Sequence, residues 1–383
     1  MTSFLMSCNW LIDEKNPSLK EAEAPIIKPT LSKAKISEID SLLTKYLTQH
    51  RYNGSALVAY KGYPVFRKIS GYKNMTTKEA INFNTAFQLA SVSKAFTSMA
   101  VLILKERGLL EINDLVQKYI PEFPFNNITI KHLLQHTSGM PNYMYFVDNC
   151  WKSEMPLTNE DVLKIININN PTLSFEPGKR HFYSNTGYAM LALLVERISG
   201  KPFYQFLNEN IFVPLKMKNT FAWNQAAWDS NPNIAIGYSR SGWKYRQKEH
   251  VPLDEVLGDK SVYSTVDDLL KWDQALYHHK LISKNLLQEA FTPIVLKSKK
   301  AQKYGYGWRL NEVDGKRVIY HNGLWNGFTS SLSRYVEDSL TVILINNTNA
   351  HVGTMAKDIY TIMEQELGTE KGRQVVSLND KNK

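Results

Sequence analysis

A serine three residues ahead of a lysine, in Ser91-Val92-Ser93-Lys94, is the pairing in this chain that most directly suggests chemistry. On a helix the two side chains leave the same face and can reach one another. A serine hydroxyl at its free pKa barely attacks a carbonyl and needs a neighbour to take its proton. Lysine can do this only if its own pKa is depressed, and the apolar run Ala95 to Leu104 would depress it by desolvation. If Ser91 opens the helix, its backbone N–H is free for an oxyanion, and the helix dipole favours negative charge at that end. The pair proves little alone. The same spacing occurs at Ser32/Lys35, Ser70/Lys73 and Ser241/Lys244, none of which begins a long apolar helix.

Two further clusters could complete such a site. Tyr183-Ser184-Asn185 precedes the apolar run Tyr188 to Ile198. A phenol close to a lysine ammonium can have its pKa lowered, so Tyr183 could act as base towards Ser91 and as acid towards a leaving group. Asn185 offers an amide that could hold both a lysine and a substrate carbonyl. The bland alternative is a half-buried tyrosine and a plain helix N-cap. His321-Asn322-Gly323 ends a predicted strand, where a glycine would let a substrate backbone lie against the strand edge and the Leu324 N–H could donate to an oxyanion. A strand-end turn with a surface histidine would read the same way.

The elements that must position these residues follow from periodicity and turn chemistry. Ile36, Ile39, Leu42, Leu43, Tyr46 and Leu47 recur at helical spacing, and the runs 55–60 and 64–69 flank Lys61-Gly62-Tyr63 as a hairpin. Residues 90–110 read as a helix buried on most of its circumference. Helical segments are predicted near 129–136, 159–168, 186–199, 202–211 and 265–278. Strand-like runs follow at 309–313, 317–321, 329–335 and 341–345, with Asp314-Gly315 as a turn, and then a last helix over 352–367. Strands near both ends with helices between them imply an α/β (α+β) fold with one antiparallel sheet assembled from the termini, flanked by helices, and a mostly helical lobe inserted. The predicted division is a leader and tether over 1–30 and a catalytic domain over 31–367. Within that domain the α/β lobe takes 31–112 and 291–367 and the helical lobe takes 113–290. A disordered tail is expected over 368–383.

Composition narrows the partners. At 383 residues, 43% hydrophobic and 21% charged, the chain has material for a large core. Its formal charge of +10 is spread along the sequence, and the dense run Lys297 to Lys303 reads as a solvated loop without nucleic-acid motifs, so no nucleic acid is expected. Two cysteines cannot build a disulfide scaffold. Leu5-Met6-Ser7-Cys8 is similar to the end of a bacterial lipoprotein signal, although the apolar stretch before it is too short for a signal core. If a signal peptide precedes this start, a lipidated Cys8 would tether the protein in the bacterial cell envelope; otherwise the cytoplasm is expected. No run approaches the roughly 18 apolar residues of a spanning helix.

Taken in order, the motifs resemble the class C β-lactamase and penicillin-recognising serine hydrolase superfamily, which includes D,D-carboxypeptidases, D-aminopeptidases and esterases. The likeness covers residues 35–367. It rests on Phe87-Gln88-Leu89-Ala90-Ser91-Val92-Ser93-Lys94, Leu133-Leu134-Gln135-His136-Thr137-Ser138-Gly139-Met140-Pro141, Glu176-Pro177-Gly178 and Tyr183-Ser184-Asn185. Tyr263-Ser264-Thr265, Tyr304-Gly305-Tyr306-Gly307-Trp308 and His321-Asn322-Gly323 complete it. The resemblance implies a covalent acyl-enzyme on Ser91, Lys94 and Tyr183 as the acid/base pair, and Asn185 as positioner of substrate and lysine. It also implies a substrate-binding His321-Asn322-Gly323 strand, Ser91 and Leu324 as backbone oxyanion donors, and no metal or organic cofactor. The substrate would be a small molecule, peptide or ester.

Two departures bear on the acyl donor. His321-Asn322-Gly323 stands where the β-lactamases have Lys-Thr-Gly, which argues against efficient β-lactam hydrolysis, and Lys260-Ser261 stands where relatives commonly have glycine. Rival readings are weaker. His132 and His136 at i and i+4 lack the zincin glutamate, and Gly237 to Gly242 has one residue too many for a GxSxG elbow. A catalytically inactive scaffold is the alternative from another class.

Overall fold

The computed structural model describes residues 31–151, 156–241 and 244–380. The leader with Cys8 lies outside the described residues. Strands β1 (Gly54–Tyr60) and β2 (Tyr63–Ser70) join β3 (Arg309–Val313), β4 (Lys316–Trp325), β5 (Phe328–Tyr335) and β6 (Leu340–Asn346) in one antiparallel sheet. Their order is β3-β4-β5-β6-β1-β2, so β1 pairs with β6 and the two ends of the chain close one sheet, as the sequence pattern implied.

Turn chemistry sets the register. Lys61 and Gly62 take φ of 52° and 76°, Asp314 and Gly315 51° and 75°, and Asn326 and Gly327 41° and 85°. Two successive positive φ values match the right-handed twist of the flanking strands, and Asn-Gly and Asp-Gly adopt them readily. The Asn326-Gly327 turn is not in the sequence reading, which stopped the strand at His321. It extends β4 by four residues to Trp325.

The two faces of the sheet carry different cores. Helix α1 (Lys33–Gln49) and the last helix, α5 (Val352–Asp380), cover one face, with Ile39, Leu43, Val58, Val342, Ile359 and Met363 packed between them. The last helix runs past the end expected near Leu367. Helices α2 (Ser93–Glu106), α3 (Asn185–Ser199) and α4 (Val266–Tyr277) build the larger core on the other face. Every residue of α2 from Ser93 to Leu104 is buried, which explains its unbroken apolar run. Phe96 of α2 lies 4.5 Å from Trp272 of α4, centroid to centroid.

Helix α4 packs on β1 and β6, although the sequence reading assigned it to the inserted lobe. A buried ion pair holds it there. Arg334 Nε on β5 donates to Asp273 Oδ1 at 2.6 Å, and the Thr341 hydroxyl on β6 donates to Oδ2 at 2.9 Å.

Candidate active site

Ser91 sits in a single 3₁₀ turn, Ala90–Val92, immediately ahead of α2 rather than on the α-helix itself. First-turn N–H groups have no intrahelical acceptor, so the Ser91 N–H keeps its donor capacity. Ala90 takes φ of +48°, a left-handed conformation that costs a residue with a Cβ. The turn is pinned from the sheet: the Ser330 hydroxyl of β5 donates to the Leu89 carbonyl at 2.5 Å. Gly323 of β4 abuts the same point, where a Cβ would fall 2.2 Å from Leu89 O and 3.0 Å from Ala90 Cβ. The expectation that Gly323 makes room for substrate is therefore corrected, because the space it leaves is filled by the chain's own Ser91 turn.

Lys94, one helical turn on, is fully buried. Its Nζ donates to Ser91 Oγ at 3.2 Å, to Asn185 Oδ1 at 2.9 Å and to the Asp259 backbone carbonyl at 2.7 Å. All three acceptors are uncharged. Burial lowers its pKa from 10.5 to about 7; the Asp259 carboxylate opposes the shift and the Arg309 guanidinium adds to it. A substantial fraction of the amine is thus unprotonated at neutral pH, within reach of the Ser91 proton. Asn185 is the first residue of α3, and its amide nitrogen points to Met144 Sδ at 3.2 Å.

Tyr183 comes in from the irregular segment before α3. Lys94 Nζ lies over the face of its ring, 4.9 Å from the centroid, and Arg309 lies 5.4 Å from the same centroid. The phenol was expected to have a lowered pKa beside a lysine; the direction is the reverse. Burial pushes it up, and the proximity of Ser91 and Arg309 only partly offsets this. The hydroxyl is buried without a hydrogen-bonding partner. At neutral pH Tyr183 carries its proton, so of this pair Lys94 is the group able to accept one and Tyr183 the group able to give one.

His321 also departs from expectation. It is fully buried, and both ring nitrogens are taken: Nδ1 donates to the Asn322 carbonyl at 2.8 Å and Nε2 accepts from the Tyr304 hydroxyl at 3.3 Å. Behind Tyr304 stands His136, whose Nε2 donates to the Tyr304 oxygen at 3.0 Å while its Nδ1 accepts the Ser184 N–H at 3.2 Å. Each tautomer is fixed by the next donor, giving one directed chain from α3 to β4. Burial, with Lys94 nearby, drives both histidines well below their ordinary pKa, so the chain is neutral. No nitrogen of His321 is left for a substrate, and its role is to join the two lobes behind Tyr183. His136 and His132 do not act as a metal pair: the helix Ile130–Leu134 ends between them, and His132 Nδ1 is bound to Thr129.

Asn322 and Leu324 point their side chains to the opposite face. A Cβ on Gly353 of α5 would sit 2.6 Å from the Asn322 amide nitrogen, so Asn322 does not offer its side chain to the cleft. The backbone is a different matter. Strand β3 pairs with β4 only as far as Tyr320, which leaves the edge from His321 to Trp325 unpaired on that side. The Trp325/Phe328 pair closes the two-residue turn, so the alternation of antiparallel bonding turns the Leu324 N–H and C=O towards that free edge. Leu324 follows Gly323, the residue that abuts the Ser91 turn.

Sequence reasoning missed two groups at this site, Arg309 and Asp259, and noted Lys260 only as a departure from glycine in Lys260-Ser261. Arg309, the first residue of β3, follows the Tyr304-Gly305-Tyr306-Gly307-Trp308 motif directly. Asp259 supplies a carbonyl to Lys94. Lys260 is buried beside it. A cation placed just before a hairpin was visible in the sequence; that a loop carbonyl would meet Lys94 was not.

Comparison with known proteins agrees with this architecture. Residues 39–367 match the Beta-lactamase family model, and the chain belongs to that family. It is 35% identical over 310 residues to Penicillin-binding protein 4* of Bacillus subtilis, covering 78% of this chain and 69% of the relative. It is 28% identical over 350 residues to the putative penicillin-binding protein PbpX of the same organism, covering 91% and 84%. Among solved structures, a penicillin binding protein from Bacillus halodurans superposes with a TM-score of 0.72 at 27% identity, covering 84% of this chain and 98% of that one. The protein is a serine hydrolase of the Beta-lactamase family.

Proposed function

We propose that the chain cleaves a peptide that ends in a carboxylate, in the manner of a D,D-carboxypeptidase, through an acyl-enzyme on Ser91. Lys94 takes the Ser91 proton as the hydroxyl attacks, and the Ser91 and Leu324 N–H groups receive the oxyanion. Tyr183 passes a proton to the departing amine and recovers one from Lys94. Water then releases the acyl group by the same steps in reverse roles.

The observation that carries the substrate class is Arg309. It is half-buried beside Tyr183, no acidic side chain among the described residues pairs with it, and its charge is felt at Lys94, Tyr183, His136 and His321. His321, buried and neutral, cannot meet a substrate carboxylate, whereas a planar guanidinium can do so with two parallel hydrogen bonds. The relatives named penicillin-binding proteins fit a peptide-directed site.

The test is a panel of D-Ala-D-Ala peptides, D-amino-acid amides, short-chain esters and nitrocefin, read as kcat/KM for the wild type, Ser91→Ala and Arg309→Gln. Ser91→Ala should lose all turnover with its fold intact. Arg309→Gln should lower kcat/KM for the carboxylate-terminated peptide by roughly tenfold or more, the scale of a lost charged hydrogen bond, and leave neutral esters almost unchanged. A wild type that prefers neutral esters, with no peptide-selective loss in Arg309→Gln, would overturn the assignment.

A further inference from the structure

Beside Lys94 lies a second buried lysine that the mechanism above does not use. Lys260 is 3% exposed and Asp259 is fully buried. Lys260 Nζ donates to both Asp259 carboxylate oxygens, at 3.1 and 3.0 Å, and to the Tyr143 hydroxyl at 2.6 Å. Tyr143 in turn donates to Asp259 Oδ2 at 3.1 Å, and the ring of Trp325, the residue after Leu324, closes the ammonium from another side at 5.0 Å. The same Asp259 gives its backbone carbonyl to Lys94 at 2.7 Å.

One residue therefore serves two lysines by two different atoms. The loop that carries it is fixed to α2, since the Thr97 hydroxyl donates to the Gly258 carbonyl at 2.6 Å and the Val262 N–H donates to the Ser93 hydroxyl at 3.0 Å. Gly258 takes φ of +95° and packs so closely on α3 that a Cβ would lie 2.4 Å from the Tyr188 carbonyl. The loop cannot shift to take its carboxylate away from Lys94. Only a counter-charge can keep that carboxylate from favouring the ammonium form of Lys94.

We propose that Lys260 is a positioning residue whose ammonium forms a neutral buried pair with Asp259, so that the loop offers Lys94 a carbonyl without an uncompensated carboxylate. The inference rests on the reading of Lys94 as the base for Ser91. The groups that act on Lys94 are Ser91 on its own turn, Tyr183 and the Asn185 and Tyr188 side chains of α3, Asp259 and Lys260 of the loop, Arg309 of β3, and the neutral His136 and His321. Of these, only the Asp259 carboxylate opposes the loss of the Lys94 proton by its charge. Burial lowers the pKa of Lys260 itself and Lys94 adds to that shift, while the Asp259 carboxylate with its hydrogen bonds, and Asp254 beyond it, oppose the shift and favour the ammonium.

The experiment is the pH dependence of fluorophosphonate labelling of Ser91, which needs no knowledge of the substrate. Wild type, Lys260→Met, Asp259→Asn and the double variant are compared from pH 5 to pH 10, with near-ultraviolet circular dichroism as the check of folding. The acid limb is expected to move up by about one unit in Lys260→Met and down in Asp259→Asn. In the double variant, which removes both charges, it should return close to the wild-type position. If Lys260→Met does not fold, the opposite displacement in Asp259→Asn and its reversal in the double variant carry the same test. A limb that stays in place while every variant labels more slowly at all pH values would reduce the pair to a structural role and overturn the inference. Absence of any acid limb in the wild type would instead sink the assignment of Lys94 as base.

Discussion

Lys94 and Lys316 lie on opposite sides of the same sheet and make nearly the same hydrogen bonds, yet they are driven in opposite directions. Lys316, at the start of β4, donates to Asp338 at 3.0 and 3.1 Å and to Glu364 at 2.8 Å, and its pKa is raised by those carboxylates. Lys94 donates to three oxygens at 2.7 to 3.2 Å and its pKa falls to about 7. The number and length of the bonds cannot explain the difference. What differs is the charge on the acceptors and the access of water: Lys316 keeps 31% of its side chain exposed and meets two carboxylates, whereas Lys94 is sealed among a hydroxyl, an amide and a carbonyl. A lysine becomes a base when its partners are neutral and dry.

The largest way to break this contrast is to remove the buried amine. Lys94→Met should lower kcat by roughly 10²-fold or more, the scale of general-base contributions, while making the fold more stable at pH 7. The sign follows from linkage. The folded pKa near 7 lies below the unfolded 10.5, so between those values the unfolded chain holds more protons and the stability of the wild type rises with pH. Lys94→Met removes that slope. Its advantage in urea unfolding should be about 1 kcal/mol or more at pH 7 and should shrink steadily towards pH 10.5. An advantage independent of pH would mean that Lys94 stays charged in the folded protein.

A subtler change would turn the setting of Lys94 into that of Lys316. Asn185→Asp replaces the neutral acceptor 2.9 Å from Lys94 with a carboxylate. An opposite charge at this distance favours the ammonium by roughly one to three pKa units, so the acid limb of kcat/KM should move up by at least one unit. Activity at pH 7 should then drop about tenfold and recover in alkaline buffer. A uniform loss at every pH would show that Asn185 matters for substrate contact rather than for the charge state of Lys94.

How far the sequence revealed this contrast depended on whether the cause was local. The Ser91/Lys94 spacing, the apolar run that buries Lys94 and the Asp314-Gly315 turn are properties of neighbouring residues, and each was readable. The direction of the Tyr183 pKa was misread because the sequence did not show that the phenol would be buried, and desolvation outweighs the cations near it. His321 and Asn322 were placed in the cleft because strand alternation was not applied: adjacent residues on β4 must face opposite sides, and only one of the two could point towards Tyr304. The Asn-Gly at 326 and 327 carried the signal that would have extended the strand and placed Leu324 inside it. By contrast, the meeting of Lys94 with Asp259, from a loop 165 residues further along the chain, leaves no trace at short range.

The smallest effect is expected at Lys316, and it sharpens the contrast by being small. Its ion pairs with Asp338 and Glu364 are partly exposed, and such pairs contribute about 0–1 kcal/mol once solvent and salt screen them. Lys316→Met should therefore cost at most about 1 kcal/mol and leave kcat and the pH profile untouched. Because the folded pKa is raised, whatever stability the group gives is fully present below the unfolded value of 10.5 and is lost only as the pH climbs above it. That is the opposite pH dependence to Lys94. The loss should also fade in 1 M salt, where the screening length is about 3 Å, whereas the effect of Lys94, shut away from counter-ions, should persist. If added salt diminished both effects equally, Lys94 would have to be open to solvent, and the burial that makes it a base would be absent.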